Sequence, residues 1–534
     1  MGKAAIDYSL YLVTGRELLP EGKDYYESLE EALQGGVTVV QVREKDTDTG
    51  EFVEIARKTK EITDKYNVPL FINDRIDVFL AVRPAGLHIG QSDLPLARAR
   101  ELVGDDALIG VSVSNVDEAR AAVAGGADYV GVGAIWDTGS KDVTAKLKLA
   151  PEGAGVVLDV LEGVPSVAIG GIHPPNVPQL LHGSVSPVNR TALDGVAVIS
   201  AIVSSADPRA AAAGIRAQVD SFKRARKTGN TQAVFSGAKA ARTPKELIEQ
   251  SAALMAVVRD NTPLVHQLTN NVVINDSANA TLAVGASPIM ATNPFDVKDL
   301  SPAIGALLVN FGTITDKAGM LVAGREANVN RKPVVYDPVA VGATAFRRST
   351  SKELLSHWQP TVIKGNPAEI GALAESTEVA SRGVDAVGGG FANPGSVVKV
   401  LARRKNAIVV MTGKHDYISD GETVLKTSNG VDLLEVITGS GCMTGTIVAT
   451  FCAAARLHFL ASNAAVENDS QLVQGDHLVG ALAGVLVFNI AAELAAARPD
   501  VKGPGTFRAA LIDELYNVRA ADVLARAKVE VLEV

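Results

Sequence analysis

The chain is poor in cysteine, in aromatic residues and in positive charge, and each shortage argues against a class of protein. Cys442 and Cys452 are the only cysteines among 534 residues, too few for the disulfide framework of a small secreted protein. Aromatic residues make up 4% of the chain, so its cores must be largely aliphatic, as in α/β proteins. The net charge of −9 argues against nucleic acid as a bulk partner, because a phosphate backbone requires a basic surface.

Signals for export or membrane insertion are also lacking. Residues 1–6 contain no apolar signal core, and position 6 is Ile rather than the Ser or Thr of a myristoylation motif. The longest stretch of low charge, 478–492, is rich in Ala and Gly, contains Asn489 and is shorter than a membrane span. We therefore expect a buried helix there and a soluble, cytoplasmic protein.

The length predicts at least two domains, and the first shows a regular alternation. Eight apolar, strand-like segments alternate with helix-like ones, which is the pattern of a (β/α)₈ TIM barrel. The predicted strands are 8–13, 37–42, 69–72, 86–89, 108–113, 129–133, 166–169 and 196–199.

A polar, aperiodic segment separates this barrel from a second α/β pattern. Residues 223–241 are rich in Lys, Arg, Gly, Ser and Thr, which predicts a linker. We expect domains at 1–222 and 242–534 on either side of it. The second domain is expected to have three α/β/α layers with Ala-rich helices near its end. Its predicted strands include 305–310, 333–337, 361–364 and 407–412.

Polar side chains end the predicted strands of the first domain, and parallel barrels place their chemistry at the carboxyl ends of their strands. Arg43 and Lys45 follow the second strand at alternate positions, so both can grip one polyanion. Asp74 and Asp93 follow the next two strands, and Mg²⁺ favours a few carboxylates combined with substrate phosphates. Glycines follow the seventh strand, where such barrels commonly bind phosphate. The set predicts a diphosphate site with a divalent metal.

A second polar set, in the C-terminal half, predicts phosphoryl transfer. Residues 439–442 (Gly-Ser-Gly-Cys) precede an apolar helix, and a glycine-rich helix start offers free N–H groups to an anion. Asp337 ends one predicted strand, Glu369 follows the next and Thr412 ends a third. Acids at strand ends beside such a helix suit a phosphoryl-transfer enzyme. This half has no Walker-type Gly-Lys-Ser/Thr loop, so the nucleotide must be held differently.

The N-terminal motifs resemble those of the thiamine-phosphate synthase family. Segments 41–45, 73–74, 88–93, 138–141 and 170–172 appear in that family's order within residues 7–205. The family joins hydroxymethylpyrimidine diphosphate to thiazole phosphate and releases diphosphate. The resemblance implies that the pyrimidine diphosphate is bound by Gln41, Arg43, Lys45, Asn73, Ser112 and Lys141. It also implies Mg²⁺ binding by Asp74 and Asp93, and thiazole phosphate binding by Thr138, Ser140, Gly171, Ile199 and Ser200.

The C-terminal motifs resemble those of the hydroxyethylthiazole kinases, members of the ribokinase-like superfamily. Segments 266–270 and 285–290 resemble the substrate-binding region of that family. The resemblance implies ATP as co-substrate and Mg²⁺ in the kinase as well. It implies a thiazole pocket formed by Asn270, Met290 and Gly439, ATP binding by Lys364 and Thr412, and Mg²⁺ binding by Asp337 and Glu369. Many relatives carry arginine at position 364, so a forked phosphate contact is here replaced by a point charge.

Cys442 occupies the position at which most ribokinase-like enzymes carry an aspartate that accepts the alcohol proton. The thiazole kinases carry cysteine there, so the resemblance implies a catalytic position for Cys442. Two roles stay open. A helix start lowers a thiol pKa and favours a thiolate base, whereas a neutral thiol would only shape the anion site.

The kinase product would be the synthase substrate, and the fusion resembles the bifunctional thiamine-biosynthesis proteins of fungi. The resemblance implies a homo-oligomer built on trimers of the C-terminal half, with small-molecule substrates and no nucleic-acid or membrane partner. Segment 183–191 departs from the synthase pattern and is expected to bulge near the phosphate loop. Three alternatives stay open: a tautomerase-like barrel, a kinase for hydroxymethylpyrimidine, and one half acting as a regulatory ligand sensor.

Overall fold

The computed structural model describes residues 6–139, 148–227, 242–314, 316–376, 380–382, 385–387, 390–462 and 472–534. The chain forms two compact units, Met1–Lys227 and Thr228–Val534.

The first unit is a closed barrel of eight parallel strands, in which each strand pairs with its neighbours in chain order. Its strands are β1 (Leu10–Val13), β2 (Val39–Val42), β3 (Leu70–Asn73), β4 (Gly86–Ile89), β5 (Leu108–Val113), β6 (Tyr129–Gly133), β7 (Ser166–Ile169) and β8 (Gly195–Val198). Its helices are α1 (Tyr25–Gln34), α2 (Thr49–Lys65), α3 (Ile76–Val82), α4 (Leu96–Val103), α5 (Val116–Ala124), α6 (Ala150–Leu158), α7 (Val177–Gly183), α8 (Ser200–Val203) and α9 (Pro208–Lys227). The predicted TIM barrel is confirmed.

Local sequence explains these elements. The strands are almost fully buried, because helices cover the outside of the barrel and side chains fill its inside, so both faces favour apolar, often β-branched residues. Asn115 caps α5 by accepting the N–H of Glu118, as short polar side chains at helix starts commonly do. Helix α9 extends through Lys227 into the predicted linker. Residues 228–241 lie outside the described part of the chain, so the predicted domain boundaries stay predictions.

An aromatic cluster fills part of the barrel interior, although the chain is poor in aromatic residues. Tyr11 and Phe71 both pack against the ring of Tyr129, with ring centroids 5.9 Å and 5.5 Å away. A Cβ atom on Gly110 would lie 2.0 Å from that ring. Glycine on β5 therefore makes the room that the large side chain on β6 occupies.

The prediction that segment 183–191 bulges near the phosphate loop is wrong. Asp159, directly after α6, accepts the N–H groups of Val188 and Asn189 at 3.2 and 2.9 Å. Arg226, near the end of α9, donates to the carbonyl of Arg190. In a (β/α)₈ barrel, the carboxyl ends of the helices lie near the amino-terminal ends of the strands. Segment 183–191 therefore lies at the opposite end of the barrel from the phosphate loop. It joins a helix to the following strand, whereas phosphate loops join a strand to the following helix.

The second unit is built on a nine-stranded sheet. Its strands are β9 (Leu264–Leu268), β10 (Ser287–Ile289), β11 (Ala306–Asn310), β12 (Val334–Asp337), β13 (Val362–Gly365), β16 (Ile408–Met411), β17 (Asp416–Ser419), β18 (Val424–Thr427) and β19 (Val529–Leu532). Their order in the sheet is β10-β9-β11-β12-β13-β16-β17-β18-β19, parallel up to β16 and antiparallel beyond it. A separate hairpin pairs β14 (Ala380–Arg382) with β15 (Asp385–Val387).

The helices of the second unit cover both faces of this sheet. They are α10 (Pro244–Asn261), α11 (Ile274–Ala283), α12 (Pro294–Leu300), α13 (Lys317–Val329), α14 (Ala345–His357), α15 (Pro367–Ala374), α16 (Pro394–Lys405), α17 (Ser440–Ser462), α18 (His477–Ala496), α19 (Pro504–Asn517) and α20 (Ala520–Arg526). Neighbouring residues of one strand join different cores: Leu308 belongs to the core that contains residues of α17 and α18, whereas Leu307 belongs to the core that contains residues of α13 and α14. Since strand side chains alternate between faces, the three-layer α/β/α prediction is confirmed.

Helices α17 and α18 form the centre of one layer. Both are long and apolar enough to cross a membrane by length and composition, yet 72% and 89% of their apolar windows are buried inside the protein. The predicted buried helix is thus confirmed, and it extends beyond the low-charge stretch 478–492 to the 20 residues of α18. On the opposite face of the sheet, Trp358 is fully buried and its ring packs against Tyr336.

The strand order places a switch point between β9 and β11. From β9 the chain crosses to β10 on one side, and the later parallel strands follow on the other side. In open α/β sheets, ligands bind outside the carboxyl ends of the strands at such a point. Asn270 and Asn310 lie at those two strand ends.

Candidate active sites

Three charged side chains gather at the carboxyl ends of β2, β3 and β4. Burial lowers the pKa of the Arg43 guanidinium, and the charge of Asp93 is among those that oppose this change. Burial raises the pKa of Asp74, and the negative charge of Asp93 raises it further. Asp93 therefore lies within electrostatic reach of both Arg43 and Asp74.

The main chain fixes both acids at this end of the barrel. Asp74 has a left-handed backbone conformation with φ of 61°, and its N–H donates to the carbonyl of His88 at 2.8 Å. Asp93 Oδ2 accepts the N–H of Gly90 at 2.7 Å. Each acid is thus tied to β4 or to the residue that follows it.

A chain of hydrogen bonds crosses the barrel interior below these charges. Gln41 Nε2 donates to the Tyr11 hydroxyl at 2.9 Å, and the Tyr11 and Tyr129 hydroxyls lie 2.8 Å apart. His88 Nδ1 lies 2.8 Å from the Tyr129 hydroxyl, and His88 Nε2 lies 2.9 Å from Ser112 Oγ. Burial raises the pKa of both tyrosines, so they stay protonated and able to donate. The two ends of the chain, Gln41 and Ser112, are both predicted ligands of the pyrimidine diphosphate.

The residues predicted to bind thiazole phosphate lie at the ends of the last three strands of the barrel. The described ones are Thr138, Gly171, Ile199 and Ser200. Gly171 has a φ of 71°, and a Cβ there would lie 2.6 Å from the carbonyl oxygen of Asp137 and 2.8 Å from the Cβ of Trp136. Glycine therefore allows the loops after β6 and β7 to approach each other. Ser140 and Lys141 lie outside the described residues.

In the second unit, a line of polar side chains crosses the carboxyl ends of the central strands. Asn270 Nδ2 lies 3.5 Å from Cys442 Sγ and donates to Asn310 Oδ1 at 2.9 Å. Asn310 Nδ2 donates to Asp337 Oδ2 at 2.8 Å. Lys364 Nζ lies 3.4 Å from Asp337 Oδ1. The line joins four predicted site residues through Asn310, which the sequence analysis did not single out.

The start of α17 faces this line. A Cβ on Gly441 would lie 3.1 Å from Lys364 Nζ, so the ammonium lies close to the first turn of the helix. The first main-chain hydrogen bond of the helix runs from the Met443 N–H to the Gly439 carbonyl, and the N–H groups before it have no partner within the helix. A cation is disfavoured beside a helix start, so these N–H groups and Lys364 together favour an anion between them.

Burial strongly affects the pKa values of the ionisable groups at this site. Burial opposes the charged form of Lys364, but Asp337 and Glu369 outweigh it and raise the pKa of the lysine. Burial raises the pKa of Glu369 from 4.5 to about 7, and the charge of Asp337 adds to this effect. Burial raises the pKa of the Cys442 thiol from 9.0 to about 11, and Asp337 adds to it. Cys442 is therefore a neutral thiol near pH 7, despite its place at a helix start.

The comparisons with known proteins divide the chain in the same way as the structure. The family model described as thiamine monophosphate synthase matches residues 10–202, and the model of the hydroxyethylthiazole kinase family matches residues 255–521. A probable thiamine biosynthetic bifunctional enzyme from Schizosaccharomyces pombe is 38% identical, over 99% of this chain and 100% of the relative. The chain belongs to the thiamine biosynthetic bifunctional enzymes.

Further relatives agree with this assignment. The thiamine biosynthetic bifunctional enzyme of Saccharomyces cerevisiae is 34% identical over 97% of this chain and 96% of the relative. A hydroxyethylthiazole kinase from Desulforudis audaxviator is 42% identical over 53% of this chain and 97% of the relative. We therefore call Met1–Lys227 the synthase unit and Thr228–Val534 the kinase unit.

The acids of both units fit a magnesium ion that substrate phosphates help to bind. Within the described residues, no group of three or more His, Cys, Asp or Glu side chains could hold a metal. Mg²⁺ commonly takes only one or two carboxylates and completes its shell with water and phosphates. In the synthase unit, Asp74 and Asp93 repel each other, and in the kinase unit Asp337 and Glu369 do the same. This repulsion favours a cation beside each pair.

Some predicted residues lie at the rim of these sites. In the synthase unit, Lys45 is exposed, and its neighbour Glu44 pairs with Arg16 through two hydrogen bonds of 3.0 Å. In the kinase unit, Met290 directly follows β10. The carbonyl of the next residue, Ala291, accepts a hydrogen bond from His266 Nε2 at 2.7 Å. Thr412 follows β16, and its N–H donates to the Gly365 carbonyl at 2.9 Å. Within the described residues, no side-chain hydrogen bond or ion pair joins Lys45, Met290 or Thr412 to the polar sets that they border.

Proposed function

We propose that this enzyme performs two consecutive steps of thiamine synthesis. The kinase unit phosphorylates 4-methyl-5-(2-hydroxyethyl)thiazole with ATP, and the synthase unit couples the thiazole phosphate to hydroxymethylpyrimidine diphosphate. The observation that carries the proposal is that each matched segment contains its own cation–carboxylate set at the carboxyl ends of parallel strands. In the synthase unit this set is Arg43, Asp74 and Asp93, and in the kinase unit it is Lys364, Asp337 and Glu369.

In the kinase unit, the proposed roles follow from position. Asn270, Met290 and Gly439 hold the thiazole alcohol beside Cys442, while Lys364 and Thr412 hold the ATP phosphates. The alcohol oxygen attacks the γ-phosphorus as the bond to ADP breaks, and the alcohol proton passes to an oxygen of the transferred phosphoryl group. Lys364 and the N–H groups at the start of α17 stabilise charge on the transferring phosphoryl group.

In the synthase unit, the leaving group is diphosphate. Gln41, Arg43, Lys45, Asn73, Ser112 and Lys141 are proposed to bind the pyrimidine diphosphate. Arg43 and the two lysines neutralise charge as the C–O bond breaks. The resulting pyrimidine carbocation is captured by the ring nitrogen of the thiazole phosphate, which is held by Thr138, Ser140, Gly171, Ile199 and Ser200. No general base on the nucleophile is required.

Both steps are proposed to use Mg²⁺. The residues that would hold it are Asp74 and Asp93 in the synthase unit, and Asp337 and Glu369 in the kinase unit. When bound, the ion supplies positive charge that offsets the negative charge of the phosphate groups.

One assay tests the assignment directly. Purified protein is given thiazole alcohol, ATP, pyrimidine diphosphate and Mg²⁺, and each component is omitted in turn. Thiamine phosphate should form only with all four, and omission of the pyrimidine should leave thiazole phosphate. Direct conversion of unphosphorylated thiazole, or phosphorylation of hydroxymethylpyrimidine in its place, would contradict the proposal.

Cys442 is proposed to hold a catalytic position as a neutral thiol. Its pKa of about 11 means that a thiolate-dependent rate would rise with pH throughout the neutral and mildly alkaline range. We expect instead that kcat is flat between about pH 7 and pH 9 and that Cys442→Ser keeps kcat within about tenfold, because loss of a true base costs about 10²–10⁴-fold. Stopped assays of thiazole phosphorylation measure both. A tenfold rise per pH unit that vanishes in Cys442→Ser would establish a thiolate base.

The two units are proposed to function independently, with the kinase unit forming trimers. We expect separately expressed 1–227 and 242–534 each to retain its step, because each unit has its own hydrophobic core. Light scattering should show that 242–534 self-associates to the same degree as the whole chain and that 1–227 is monomeric. A monomeric whole chain with full kinase activity would refute the trimer, and loss of folding in both pieces would refute independence.

The protein is also proposed to be cytoplasmic. The burial of both long apolar helices and the scarcity of cysteine support this location. Fractionation of cells that produce the protein would test it, and recovery with membranes would contradict it.

A further inference from the structure

Arg347 uses its guanidinium in an unusual way beside the kinase site. It lies in the first turn of α14 and donates through Nη1 to the carbonyls of Phe311 and Val339, at 2.6 and 2.9 Å. Its Nη2 donates to the carbonyl of Gly312 at 3.1 Å. Within the described residues, the guanidinium contacts no carboxylate. The planar, permanently charged guanidinium thus donates to three neutral peptide groups, which belong to the two loops that follow β11 and β12.

Two of the residues whose carbonyls Arg347 binds also hold the main chain of Asp337. The N–H of Phe311 and the N–H of Val339 both donate to the Asp337 carbonyl, each at 2.9 Å. Arg347 binds the carbonyls of the same two residues. It therefore ties together the two loops between which the acid of the kinase site is held.

One of these peptide groups, that between Phe311 and Gly312, fixes the side chain of Asn310. The N–H of Gly312 donates to Asn310 Oδ1 at 2.9 Å, and the same oxygen accepts from Asn270. This leaves Asn310 Nδ2 directed at Asp337 Oδ2, at 2.8 Å. If the amide turned over, Nδ2 would face two donors and Oδ1 would face a carboxylate. The Phe311–Gly312 peptide, whose carbonyl oxygen accepts from Arg347 Nη1, thus sets the orientation of the Asn310 amide on which the polar line depends.

We infer that Arg347 is a positioning residue for phosphoryl transfer in the kinase unit. It fixes Asp337 through the main chain and Asn310 through the Phe311–Gly312 peptide, and it acts through these groups rather than by binding a substrate. The inference rests on the proposed kinase function.

The neighbouring Arg348 provides a matched control. It belongs to the same helix, carries the same charge and is exposed, and it also donates to a main-chain carbonyl, that of Gly342 at 2.6 Å. Gly342 lies in the loop after β12, but it donates to neither Asp337 nor Asn310. Replacement of Arg348 therefore removes a charge and a loop contact, and it leaves the hydrogen bonds from Arg347 to the main chain intact.

The test compares Arg347→Ala, Arg347→Lys and Arg348→Ala in the full-length chain. Thiazole phosphorylation gives kcat and separate KM values for ATP and the alcohol. Coupling by the synthase unit of the same preparations controls for protein quality, and thermal denaturation monitors folding. Free guanidinium ion is added to each variant, because it can replace the missing donors without restoring the side chain.

We expect Arg347→Ala to lose about 10² in kcat, since small misplacements of reacting groups have effects of this size. Both KM values should change much less than kcat, by less than about threefold, because the groups that Arg347 orients act mainly on the transferring phosphoryl group. Guanidinium should restore part of the lost kcat, Arg347→Lys should lie between Arg347→Ala and the unmodified chain, and Arg348→Ala should match the unmodified chain.

Equal kcat values for Arg347→Ala and Arg348→Ala would overturn the inference. So would a loss that guanidinium does not reverse and that follows the fraction of unfolded kinase unit. Failure of the unmodified chain to phosphorylate the thiazole alcohol would instead overturn the proposed function, which that arm of the experiment detects separately.

Discussion

Replacement of Arg43 by alanine is expected to lower the rate of thiamine phosphate formation by at least about 10²-fold, the effect of removing one preorganised donor from developing negative charge. The guanidinium is partly buried, and Asp93 lies within its electrostatic reach. It therefore meets the leaving diphosphate in a poorly screened environment, where a charge has a larger effect than in water. Measurement of diphosphate release from pyrimidine diphosphate and thiazole phosphate tests this value.

The kinase reaction of the same Arg43→Ala protein is the internal control. Its rate should be unchanged, because the kinase site lies in the other unit. Arg98→Ala is a suitable matched variant, since Arg98 is exposed on α4 and, among the residues that the structure describes, pairs with Glu101 of the same helix alone. A loss of both activities in Arg43→Ala, or an equal loss in Arg98→Ala, would contradict a separate diphosphate site at the barrel mouth.

The second large effect is expected for Lys364. Lys364→Met should lower thiazole phosphorylation by about 10²–10³-fold, because it removes the cation nearest the start of α17. Coupling of added thiazole phosphate should remain unchanged. Lys364→Arg should keep more activity than Lys364→Met, because a guanidinium restores the charge next to Asp337.

The loss in Lys364→Met must be separated from a loss of folding. Lys364 and Asp337 are both buried, and removal of one partner of a buried pair destabilises a protein strongly. Thermal denaturation should therefore accompany the assay, with Lys364→Arg as the variant that keeps the charge. If Lys364→Met stays folded and phosphorylates the alcohol at the normal rate, Lys364 does not bind the transferring phosphate.

The strands of both units were predictable because β-branched residues cluster where a strand is buried on both faces. The predicted segment 129–133 coincides with β6, and 86–89 coincides with β4. The antiparallel strands β17 and β18 were not predicted, because they are short and carry polar residues such as Asp416 and Lys426. Their pairing depends on neighbours that a local pattern does not contain.

The charged residues of the sites were recognisable, but the groups that connect them were not. Arg43, Asp74 and Asp337 stand out because charge is rare at the end of an apolar segment. Tyr11 and Tyr129 look like ordinary core residues, and only the closed barrel reveals that their hydroxyls meet. Asn310 could have been found as a polar residue at a strand end, like those of the first unit. Arg347 gives no such signal, because its three acceptors are main-chain atoms.

The placement of the two tryptophans gives each unit an optical reporter of its own. Trp136 lies beside Gly171 at the mouth of the barrel, whereas Trp358 is fully buried in the kinase unit. Indole emission depends on the polarity around the ring, so changing Trp136 to phenylalanine isolates the signal of the kinase interior. The remaining emission, that of Trp358, would then report thermal unfolding of the kinase unit without a tryptophan signal from the synthase unit.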